Sequence, residues 1–450
     1  MSVYEKLFKS CLFPAYEMLH GRNTTALLNT AQQRLNGDLQ HLKSFQLVQL
    51  KQLLSFCKQH VPYYQKQWQQ IGFNPQDVNS VNDLQQLPVL TKQLVSEHYD
   101  ELIPIIKRQT NMKKSTGGST GRPFHFELDK YSDETRQAIM WRGYGWLQAG
   151  LGRKTWYLWG VELGSRNWLK RLKDWAYHRF HNRKIANSFL LNQHTFCDYI
   201  EDVNAYKPEA IVSYVAPLYA LAKFINSQKT TVFSPQVILT GAEALLDYQR
   251  QEIEQAFKCK VINTYGCREF MLIAAECEKQ HGLHINIDQL VVETVDEQLQ
   301  PISDVPGDIL ITDLHNYGMP LIRYVNGDQA CLSNRVCSCG NPLPMMENIS
   351  GRKLDIIRNV EGGVLPGEFF PHLIKDFKGI ERFQVRQSML TSIDLYYQIN
   401  DHFVGDELQQ IEKQIKLLLS DNFNVNFHLV ESIALSKSGK HRVTVSELKL

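Results

Sequence analysis

The chain has 450 residues and a formal net charge of +2, from 49 basic and 47 acidic side chains. Because 43% of its residues are hydrophobic and 21% are charged, it holds enough apolar material to fold, which excludes a mainly disordered chain. The near-neutral charge lacks the basic excess typical of nucleic-acid-binding proteins, so no nucleic-acid partner is expected. A chain of this length is expected to contain roughly two to four domains or subdomains.

The nine cysteines are spread from Cys11 to Cys339 and are odd in number, which does not fit a secreted disulfide framework. The N-terminal segment keeps Glu5, Lys6 and Lys9, so it does not have the pattern of a signal peptide. No run approaches about 18 uncharged apolar residues, so no transmembrane segment is expected. These features predict a soluble, cytoplasmic, multidomain protein, and a homodimer is one expected assembly.

Leucines at helical spacing in residues 30–70 predict long helices that break at Pro62, and residues 87–92 predict a loop leading into another helix. Helical stretches then alternate with β runs at 210–214, 237–239, 261–263 and 308–312, which predicts an α/β sheet. After residue 351 the pattern changes to strands at 382–386 and 393–399, a helix at 407–420 and a strand near 427–431. We therefore expect a large domain over 1–351 and a small α+β domain over 352–450.

The most informative segment is the glycine- and hydroxyl-rich run KSTGGSTGRP at residues 114–123. Glycines let the backbone approach a ligand closely, and hydroxyl and N–H groups can surround phosphate oxygens. Its GGSTG letters match the nucleophile elbow of serine hydrolases, but that elbow lies between a buried strand and a helix, whereas here a strand-like PFHFEL follows polar residues. A Walker A loop also fails, because Gly121 leads through Arg122 and Pro123 into that strand rather than into a helix. Two interpretations remain: a phosphate-binding turn between two strands, or simply a flexible loop.

That turn resembles the phosphate loop of the adenylate-forming enzymes, which include acyl-CoA synthetases and adenylation domains. Further segments resemble motifs of this family in the same order along the chain: TGAE at 240–243, TYGCRE at 264–269, TDL at 312–314 with RYVNGD at 323–328, ISGR at 349–352 and SGKHR at 438–442. Three others resemble the phenylacetate-CoA ligase branch, which includes ligase-like proteins of capsular-polysaccharide gene clusters: HVPYY at 60–64, LPVLTK at 87–92 and NYGMPLIRY at 316–324.

The resemblance implies the adenylate-forming ligase fold, in which a large N-terminal α/β domain with subdomains carries a small, mobile α+β C-terminal lid. It implies an AMP-forming ligase that uses ATP and Mg²⁺ to activate a small or aromatic carboxylic acid. The acyl group would pass to CoA, a carrier protein or an amine, in polysaccharide or secondary-metabolite biosynthesis. The alternative function is a non-catalytic scaffold that keeps the fold and binds AMP.

The resemblance also implies roles for individual residues. Lys440 would place a positive charge between the carboxylate and the α-phosphate, and Glu269 would help to hold Mg²⁺. Asp328 would accept both ribose hydroxyls, and Arg352 would donate to ribose or phosphate. The other nucleotide-binding residues implied by the motifs are Ser115, Thr116, Gly117, Gly118, Ser119, Thr120, Gly121, Gly241, Ala242, Glu243, Tyr265 and Gly266. Taken singly, Asp328 also fits a turn residue, Glu269 a residue at a helix start, and Lys440 a solvated basic tail.

One segment departs from the family pattern. The family hinge reads G-R-x-D-D, whereas this chain reads GRKLD at 351–355, so Leu354 stands in place of the first acidic residue. Either Asp355 or Lys353 serves as the pivot, or the second half-reaction differs. The departure leaves CoA open as the acceptor.

Three cysteines and one histidine form a candidate structural zinc site: Cys277, His284, Cys337 and Cys339. Three thiolates and an imidazole satisfy tetrahedral Zn²⁺, although the gap between the last two cysteines is shorter than usual. Members of the phenylacetate-CoA ligase branch carry a cluster of this type. His281 and Cys331 are rival ligands, and the alternative is a set of buried free thiols.

The acyl pocket is expected between the Tyr265 motif and helices around 140–165 and 213–220. The aromatic stretch from Trp141 to Trp168 either lines this pocket or lies in the core.

Overall fold

The computed structural model describes residues 2–106, 111–116, 124–160, 168–191, 194–350, 356–365, 367, 369–374, 377, 379–431, 433 and 443–448. The described helices are α1 Val3–Leu7, α2 Phe13–Leu19, α3 Thr24–Arg34, α4 Leu39–His60, α5 Pro62–Ile71, α6 Lys92–Glu97, α7 Tyr99–Leu102, α8 Lys130–Trp146, α9 Trp168–Phe180, α10 Phe196–Tyr206, α11 Val215–Gln228, α12 Asp247–Phe257, α13 Phe369–Ile374 and α14 Asp406–Leu419. Shorter helical turns are a π turn at Phe8–Leu12 and 3-10 turns at Pro75–Asp77, Val81–Gln86 and Ser188–Leu190.

The described strands follow the same numbering along the chain. They are β1 Met112–Thr116, β2 Phe124–Leu128, β3 Thr155–Trp159, β4 Arg183–Asn187, β5 Ala210–Tyr214, β6 Val237–Gly241, β7 Lys260–Cys267, β8 Met271–Glu276, β9 Leu283–Ile285, β10 Leu290–Val295, β11 Gly307–Asp313, β12 Tyr324–Ser333, β13 Met345–Ser350, β14 Ile357–Arg358, β15 Val364–Leu365, β16 Ile380–Met389, β17 Ser392–Ile399, β18 Asn424–Leu429 and β19 Thr444–Ser446. The alternation of helices and strands in the middle of the chain is as predicted.

The predicted break at Pro62 is confirmed and has a local cause. The Asp38 carboxylate caps the start of α4 by accepting a hydrogen bond from the backbone N–H of His41 at 2.8 Å. The helix ends at His60 because Pro62 lacks a backbone N–H, and the proline then begins α5, where its missing donor costs nothing. The buried face of α4 anchors the helix through its leucines, as helical spacing predicted.

The chain divides into two units, of which the first comprises Met1–Ser115, His125–Gly152 and Ile262–Gly351. Its strands have the order β10-β11-β12-β13-β9-β8-β7, and each of these neighbouring pairs is antiparallel. The short pair β1 and β2 also forms a two-stranded sheet, so the predicted strands on both sides of the glycine-rich turn are confirmed. Helix α8 lies close to β8 because Gly143 has no Cβ, which would collide with the side chain of Leu272.

A buried charge network connects α8 and α3 with the chain just before β10. Arg142 donates from both terminal nitrogens to the two carboxylate oxygens of Asp288, at 2.7 and 2.8 Å. Arg34 donates to the same carboxylate at 2.6 Å. Burial alone would raise the pKa of Asp288, but the two guanidinium groups outweigh it, and the pKa lies below its ordinary value.

The second unit comprises Thr116–Phe124, Arg153–Val261 and Arg352–Leu450. One of its sheets has the strand order β6-β5-β3-β4, and its neighbouring strands are parallel. Strands β5 and β6 are buried at every position, which is typical of parallel strands covered on both faces. The predicted strands at 210–214 and 237–239 are therefore confirmed.

The C-terminal part of the second unit has a sheet with the strand order β18-β17-β16-β19. Strands β16 and β17 are antiparallel, whereas β18 and β19 join them in parallel. The apolar face of α14 covers this sheet with Ile411, Ile415, Leu418 and Leu419. The predicted strands at 382–386 and 393–399 and the helix at 407–420 are confirmed, and the final predicted strand lies a few residues earlier, at β18.

Among the described residues, no helix combines the length and the apolar character that crossing a bilayer requires.

Candidate functional site

The first predicted site residues to meet in the fold are Tyr265 and Asp328. Tyr265 lies near the end of β7 and Asp328 lies on β12, and the Tyr265 hydroxyl donates to Asp328 Oδ2 at 2.9 Å. The side-chain amide of Asn326 donates to the Tyr265 hydroxyl at 2.6 Å and to Asp328 Oδ2 at 3.2 Å. Burial, reinforced by the Asp328 charge, holds the pKa of Tyr265 well above its ordinary value, so the phenol stays a donor. The carboxylate is therefore held in one orientation before any ligand binds.

Glu269 follows β7 and is buried beside a second tyrosine and a lysine. Its Oε1 accepts from the Tyr324 hydroxyl at 3.3 Å and lies 3.6 Å from Lys92 Nζ. Lys92 is the first residue of α6 and the last residue of the segment 87–92, which was predicted as a loop leading into a helix. The lysine places a positive charge next to this carboxylate, whose oxygens are the type of ligand that Mg²⁺ prefers.

The turn between β7 and β8 explains why glycine occupies position 266. A Cβ on Gly266 would collide with the carbonyl oxygen of Met271, and Met271 itself has a positive φ of 63°. Burial raises the pKa of the neighbouring Cys267 thiol well above its ordinary value, and the charge of Glu269 adds to this effect. Burial therefore disfavours the thiolate form of Cys267, which is the nucleophilic form of a cysteine.

The predicted adenine segment lies in the second unit, at the end of β6. Gly241 is the last residue of that strand, and Ala242 has a left-handed backbone with a φ of 66°. The Glu243 carboxylate accepts from the backbone N–H of Ala216 at 2.6 Å, at the start of α11. Burial of this carboxylate raises its pKa to about 7, although backbone N–H groups oppose the shift. The segment thus turns sharply and is fixed to the first turn of the preceding helix, α11.

The predicted phosphate loop is described only at its beginning. Ser115 and Thr116 end β1, and Thr116 Oγ1 is buried and has no hydrogen-bond partner among the described residues. The other predicted loop residues, as well as Arg352 and Lys440, lie outside the described residues; the loop residues are Gly117, Gly118, Ser119, Thr120 and Gly121. An unpartnered hydroxyl at this point is suited to an incoming acceptor such as a phosphate oxygen.

The sequence did not single out Arg136, which the fold places beside the Tyr265–Glu269 segment. Arg136 on α8 is 3% exposed and donates from Nη2 to the carbonyl oxygen of Arg268. Its Nε and Nη1 have no hydrogen-bond partner among the described residues. Burial lowers the pKa of Arg136, against nearby negative groups that include Asp313 and Glu269. The sequence gives no sign of this role, because it marks Arg136 only as one of several charged residues within a predicted helix.

The four predicted zinc ligands come together in the first unit. All four ligand atoms lie within 4.8 Å of one another, and they belong to Cys277, His284, Cys337 and Cys339. The sulfurs of Cys277 and Cys337 are 3.6 Å apart, and Cys339 Sγ is 3.3 Å from His284 Nε2. A tetrahedral zinc with bonds of about 2.3 Å to sulfur and about 2.0 Å to nitrogen requires edges of roughly 3.8 and 3.5 Å, so the donor set fits this ion.

The surroundings of the Cys/His group also fit a metal centre. His284 Nδ1 lies 3.0 Å from the carbonyl oxygen of Leu343, which makes Nδ1 the donor and leaves Nε2 as the ligand atom. Backbone N–H groups of Lys279 and Asn341 donate to the sulfurs of Cys277 and Cys339, each at 3.4 Å. The rivals His281 and Cys331 are not members of this group in the described part of the chain.

The aromatic stretch predicted for the pocket or the core has two different ends. Trp141 is buried on α8, whereas Trp168 at the start of α9 is 68% exposed. Trp168 therefore does not lie in the core, because aromatic density alone does not say which side of a helix meets the protein.

Comparisons with solved structures define the fold. The structure of 2-hydroxyisobutyryl-CoA ligase with 2-HIB-AMP and CoA in the thioesterification state matches with a TM-score of 0.60 and 18% identity, over 90% of this chain and 90% of that one. The same ligase in its postadenylation state, with 2-HIB-AMP, matches with a TM-score of 0.56 and 18% identity, over 89% of each chain. The chain therefore has the adenylate-forming ligase fold that the sequence predicted.

The relatives by sequence lie in one branch of that group. Residues 357–447 match the family model of the CapK C-terminal domain. Protein CapK of Staphylococcus aureus is 26% identical over 380 residues, which cover 82% of this chain and 82% of that protein. Phenylacetate-coenzyme A ligase of Thermus thermophilus is 24% identical over 402 residues, covering 82% and 84%. The predicted resemblance to the phenylacetate-CoA ligase branch is confirmed.

Proposed function

We propose that this chain is an AMP-forming ligase that activates a carboxylic acid with ATP as an acyl-adenylate and transfers the acyl group to CoA. The observation that carries the proposal is the carboxylate of Asp328, held by Tyr265 and Asn326 in a fold shared with adenylate-forming ligases. A carboxylate fixed in this way can accept two adjacent hydroxyls with little reorganisation, which is what a ribose presents. The relatives named phenylacetate-coenzyme A ligase support the choice of reaction.

Each part of the nucleotide would meet residues suited to its chemistry. We assign the ribose to Asp328, and the adenine to the turn formed by Gly241, Ala242 and Glu243. The phosphates would lie along the turn that begins at Thr116, whose hydroxyl has no partner among the described residues. Arg352 would donate to ribose or phosphate, as the family motif implies.

The divalent cation would be held by Glu269. Magnesium neutralises phosphate charge when it is bound, and a buried carboxylate is a suitable hard ligand for it. Lys92, at 3.6 Å from that carboxylate, would balance its charge before the nucleotide arrives. Lys440 would supply the remaining positive charge at the reacting carboxylate, carried there by residues 352–450 as a mobile lid.

Arg136 is suited to the acid substrate. Its guanidinium is buried next to the Tyr265–Glu269 segment and keeps two N–H groups without partners among the described residues. Leaving such donors unsatisfied costs about 1–3 kcal/mol, so a ligand that accepts from them gains affinity. We propose that Arg136 orients the oxygen atoms of the acid.

Our proposal for the acceptor of the acyl group rests on the named relatives. CoA is our first choice because the named ligase relatives use it, and a carrier protein or an amine is the alternative where Leu354 alters the hinge. We place the protein in the cytoplasm, in polysaccharide or secondary-metabolite biosynthesis, with a homodimer as the proposed assembly. A non-catalytic scaffold that binds AMP is the competing function.

We also propose that Cys277, His284, Cys337 and Cys339 bind one structural zinc ion. Zinc would supply the shared positive centre that three thiolates and an imidazole require. All four protein ligands would be used, so the site would have a structural role and leave no open position for chemistry.

The test of the ligase is carboxylate-dependent exchange of pyrophosphate into ATP across a library of acids. We expect exchange with at least one acid, and we expect Lys440→Ala to lower it by roughly 10²–10³-fold while ATP binding remains. The variant should still pass the acyl group of a chemically supplied acyl-adenylate to its acceptor, because that step does not need this lysine.

The matched control is Lys437→Ala, which removes the same charge three residues earlier and should keep full exchange. If wild-type protein binds AMP but exchanges no acid in the library, the scaffold is the correct function. If Lys440→Ala exchanges at the wild-type rate, the role assigned to this lysine is wrong.

A further inference from the structure

Helix α9 presents a row of large apolar side chains to solvent. The exposed fractions are 68% for Trp168, 54% for Leu169, 53% for Leu172 and 64% for Trp175. At about 100° per residue, Trp168, Leu172 and Trp175 project within about 60° of one another, and Leu169 lies on the flank of this stripe. Single exposed apolar residues are ordinary, but a contiguous row that includes two tryptophans marks an interaction surface.

The same helix is strongly basic. Its 13 residues contain four lysines and arginines against one aspartate, a net charge of +3, whereas the whole chain of 450 residues has only +2. Lys173 and Arg179 are exposed, and Arg179 falls on the apolar stripe one turn beyond Trp175. The stripe is therefore bordered by positive charge and is complementary to a negative surface.

The opposite side of α9 accounts for its attachment to the second unit. The ring of Tyr177 lies 4.5 Å from that of His181, and the guanidinium of Arg183 on β4 lies 5.5 Å above the Tyr177 ring. Asp174, His178 and Phe180 are half-buried. Because these residues hold the helix, the exposed stripe is not needed to attach it.

We propose that α9 docks on the surface of an anionic lipid bilayer, with its axis parallel to the membrane plane. Tryptophan favours the level of the lipid head groups, where its ring is buried and its N–H stays hydrated. Lysine and arginine beside it would face lipid phosphates, as in amphipathic helices that lie in the interface. At about 1.5 Å per residue the helix is about 20 Å long, so it would lie on the bilayer and not cross it.

A second copy of the chain fits this surface less well. Pairing two such helices would bring together two segments that each have a net charge of +3, and like charges across an interface oppose association. Lysine is also depleted in protein interfaces. An anionic membrane satisfies both the apolar stripe and the charge.

The test is flotation of the full-length protein with vesicles. We expect it to float with vesicles of phosphatidylcholine mixed with phosphatidylglycerol and to stay behind with pure phosphatidylcholine. The variant Trp168→Ser/Trp175→Ser should lower partitioning to the mixed vesicles by about tenfold or more, because two indoles no longer insert. Lys173→Glu/Arg179→Glu should lower it by at least as much, and added salt should weaken binding of the wild type.

Matched controls lie on the same unit. Leu417→Ser/Leu429→Ser removes two apolar side chains that are 69% and 59% exposed, and Lys413→Glu reverses an exposed charge on α14; both variants should float like the wild type. Equal binding to neutral and mixed vesicles, or unchanged binding of the tryptophan variant with a wild-type melting curve, would overturn the proposal. So would light scattering that shows a dimer lost in Trp168→Ser/Trp175→Ser, which would make a second copy the occupant.

Discussion

His284 and Asp288 lie four residues apart in the chain and are both fully buried, but their surroundings compensate for that burial in opposite ways. Asp288 has its countercharge from the protein, since Arg142 and Arg34 donate to both of its oxygens. His284 faces three sulfurs, so its cluster consists of four electron-pair donors. The first cluster carries its own countercharges, whereas the second, as the proposed zinc site, would need a cation to balance its thiolates.

The stability of these two clusters depends on different solution conditions. A buried carboxylate closed by arginines depends on its own ionisation, and hence on pH. A group of thiolates and an imidazole depends on a metal, and its stability follows the metal concentration. Both clusters belong to the unit that also holds Asp328, so the effect of pH on one and of metal removal on the other can be measured as changes in the stability of the same unit.

The largest expected effect is loss of metal. We expect purified protein to contain about one equivalent of zinc, and Cys339→Ser to lose it together with about 5 kcal/mol of stability or more. In a unit of this size such a loss lowers the melting temperature by about 10–20 °C. Metal analysis and thermal unfolding with and without a strong chelator measure both quantities.

The control for that variant is Cys331→Ser. Cys331 is also buried but is not in the four-residue group, so this variant should keep its zinc. Zinc-free protein with an unchanged melting temperature would show that the cluster is a set of free thiols.

The next largest effect concerns Asp288. Its folded pKa is lowered, so the charge network contributes stability above the ordinary aspartate pKa of about 4 and loses it as pH falls through the folded value. We expect Asp288→Asn to cost about 3–5 kcal/mol near neutral pH, because Arg142 would remain buried without its counterion. The difference from wild type should shrink steadily below about pH 4, as chemical denaturation at a series of pH values would show.

Asp77→Asn serves as the comparison, since Asp77 is exposed on a 3-10 turn of the same unit. It should change stability by less than about 0.5 kcal/mol at any pH. A difference between Asp288→Asn and wild type that persists unchanged into acid would mean that shape, and not charge, dominates the network.

Local signals in the sequence account for most of the fold that was predicted. The buried parallel strands β5 and β6 appear in the sequence as the mainly apolar runs AIVSY and VILTG, because both of their faces are covered. The boundary between α4 and α5 follows from the missing N–H of Pro62. The Cys/His cluster was predicted because three cysteines and one histidine match the number and type of ligands in structural zinc sites.

The supporting residues of the site could not be predicted in the same way. Asn326 and Lys92 act through side chains that only strand pairing and helix placement bring near Tyr265 and Glu269. Arg136 differs from an ordinary helix residue because its guanidinium is buried and two of its nitrogens have no hydrogen-bond partner among the described residues. Both properties come from packing. The stripe on α9 was missed for the opposite reason, because tryptophan in a sequence predicts burial more often than exposure.

The smallest expected effects concern the group formed by Tyr265, Asn326 and Asp328, which we propose binds the ribose of ATP. Asp328→Ala should weaken binding of a non-hydrolysable ATP analogue by about 10–100-fold, since hydrogen bonds to a charged group are worth about 1.5–3 kcal/mol. Calorimetric titration measures this affinity, and Asp308→Ala on β11 is the control, because that carboxylate accepts from Gln329 and faces no proposed ligand. Unchanged affinity in Asp328→Ala would make Asp328 a turn residue only.

Tyr265→Phe gives the finer test of the same cluster. The phenol donates to Asp328 at 2.9 Å, and the Asn326 amide donates to the same oxygen at 3.2 Å, so the carboxylate would lose the first contact and keep the second. The variant also loses the hydrogen bond that the phenol accepts from Asn326, but the bond to Asp328 is the one that orients the carboxylate. Losing one such orienting bond costs about 0.5–1.5 kcal/mol, which corresponds to about two- to tenfold weaker nucleotide binding. If Tyr265 acts only by orienting Asp328, Tyr265→Phe should have no further effect in the Asp328→Ala background. A full additional loss in the double variant would mean that the tyrosine contacts the nucleotide directly.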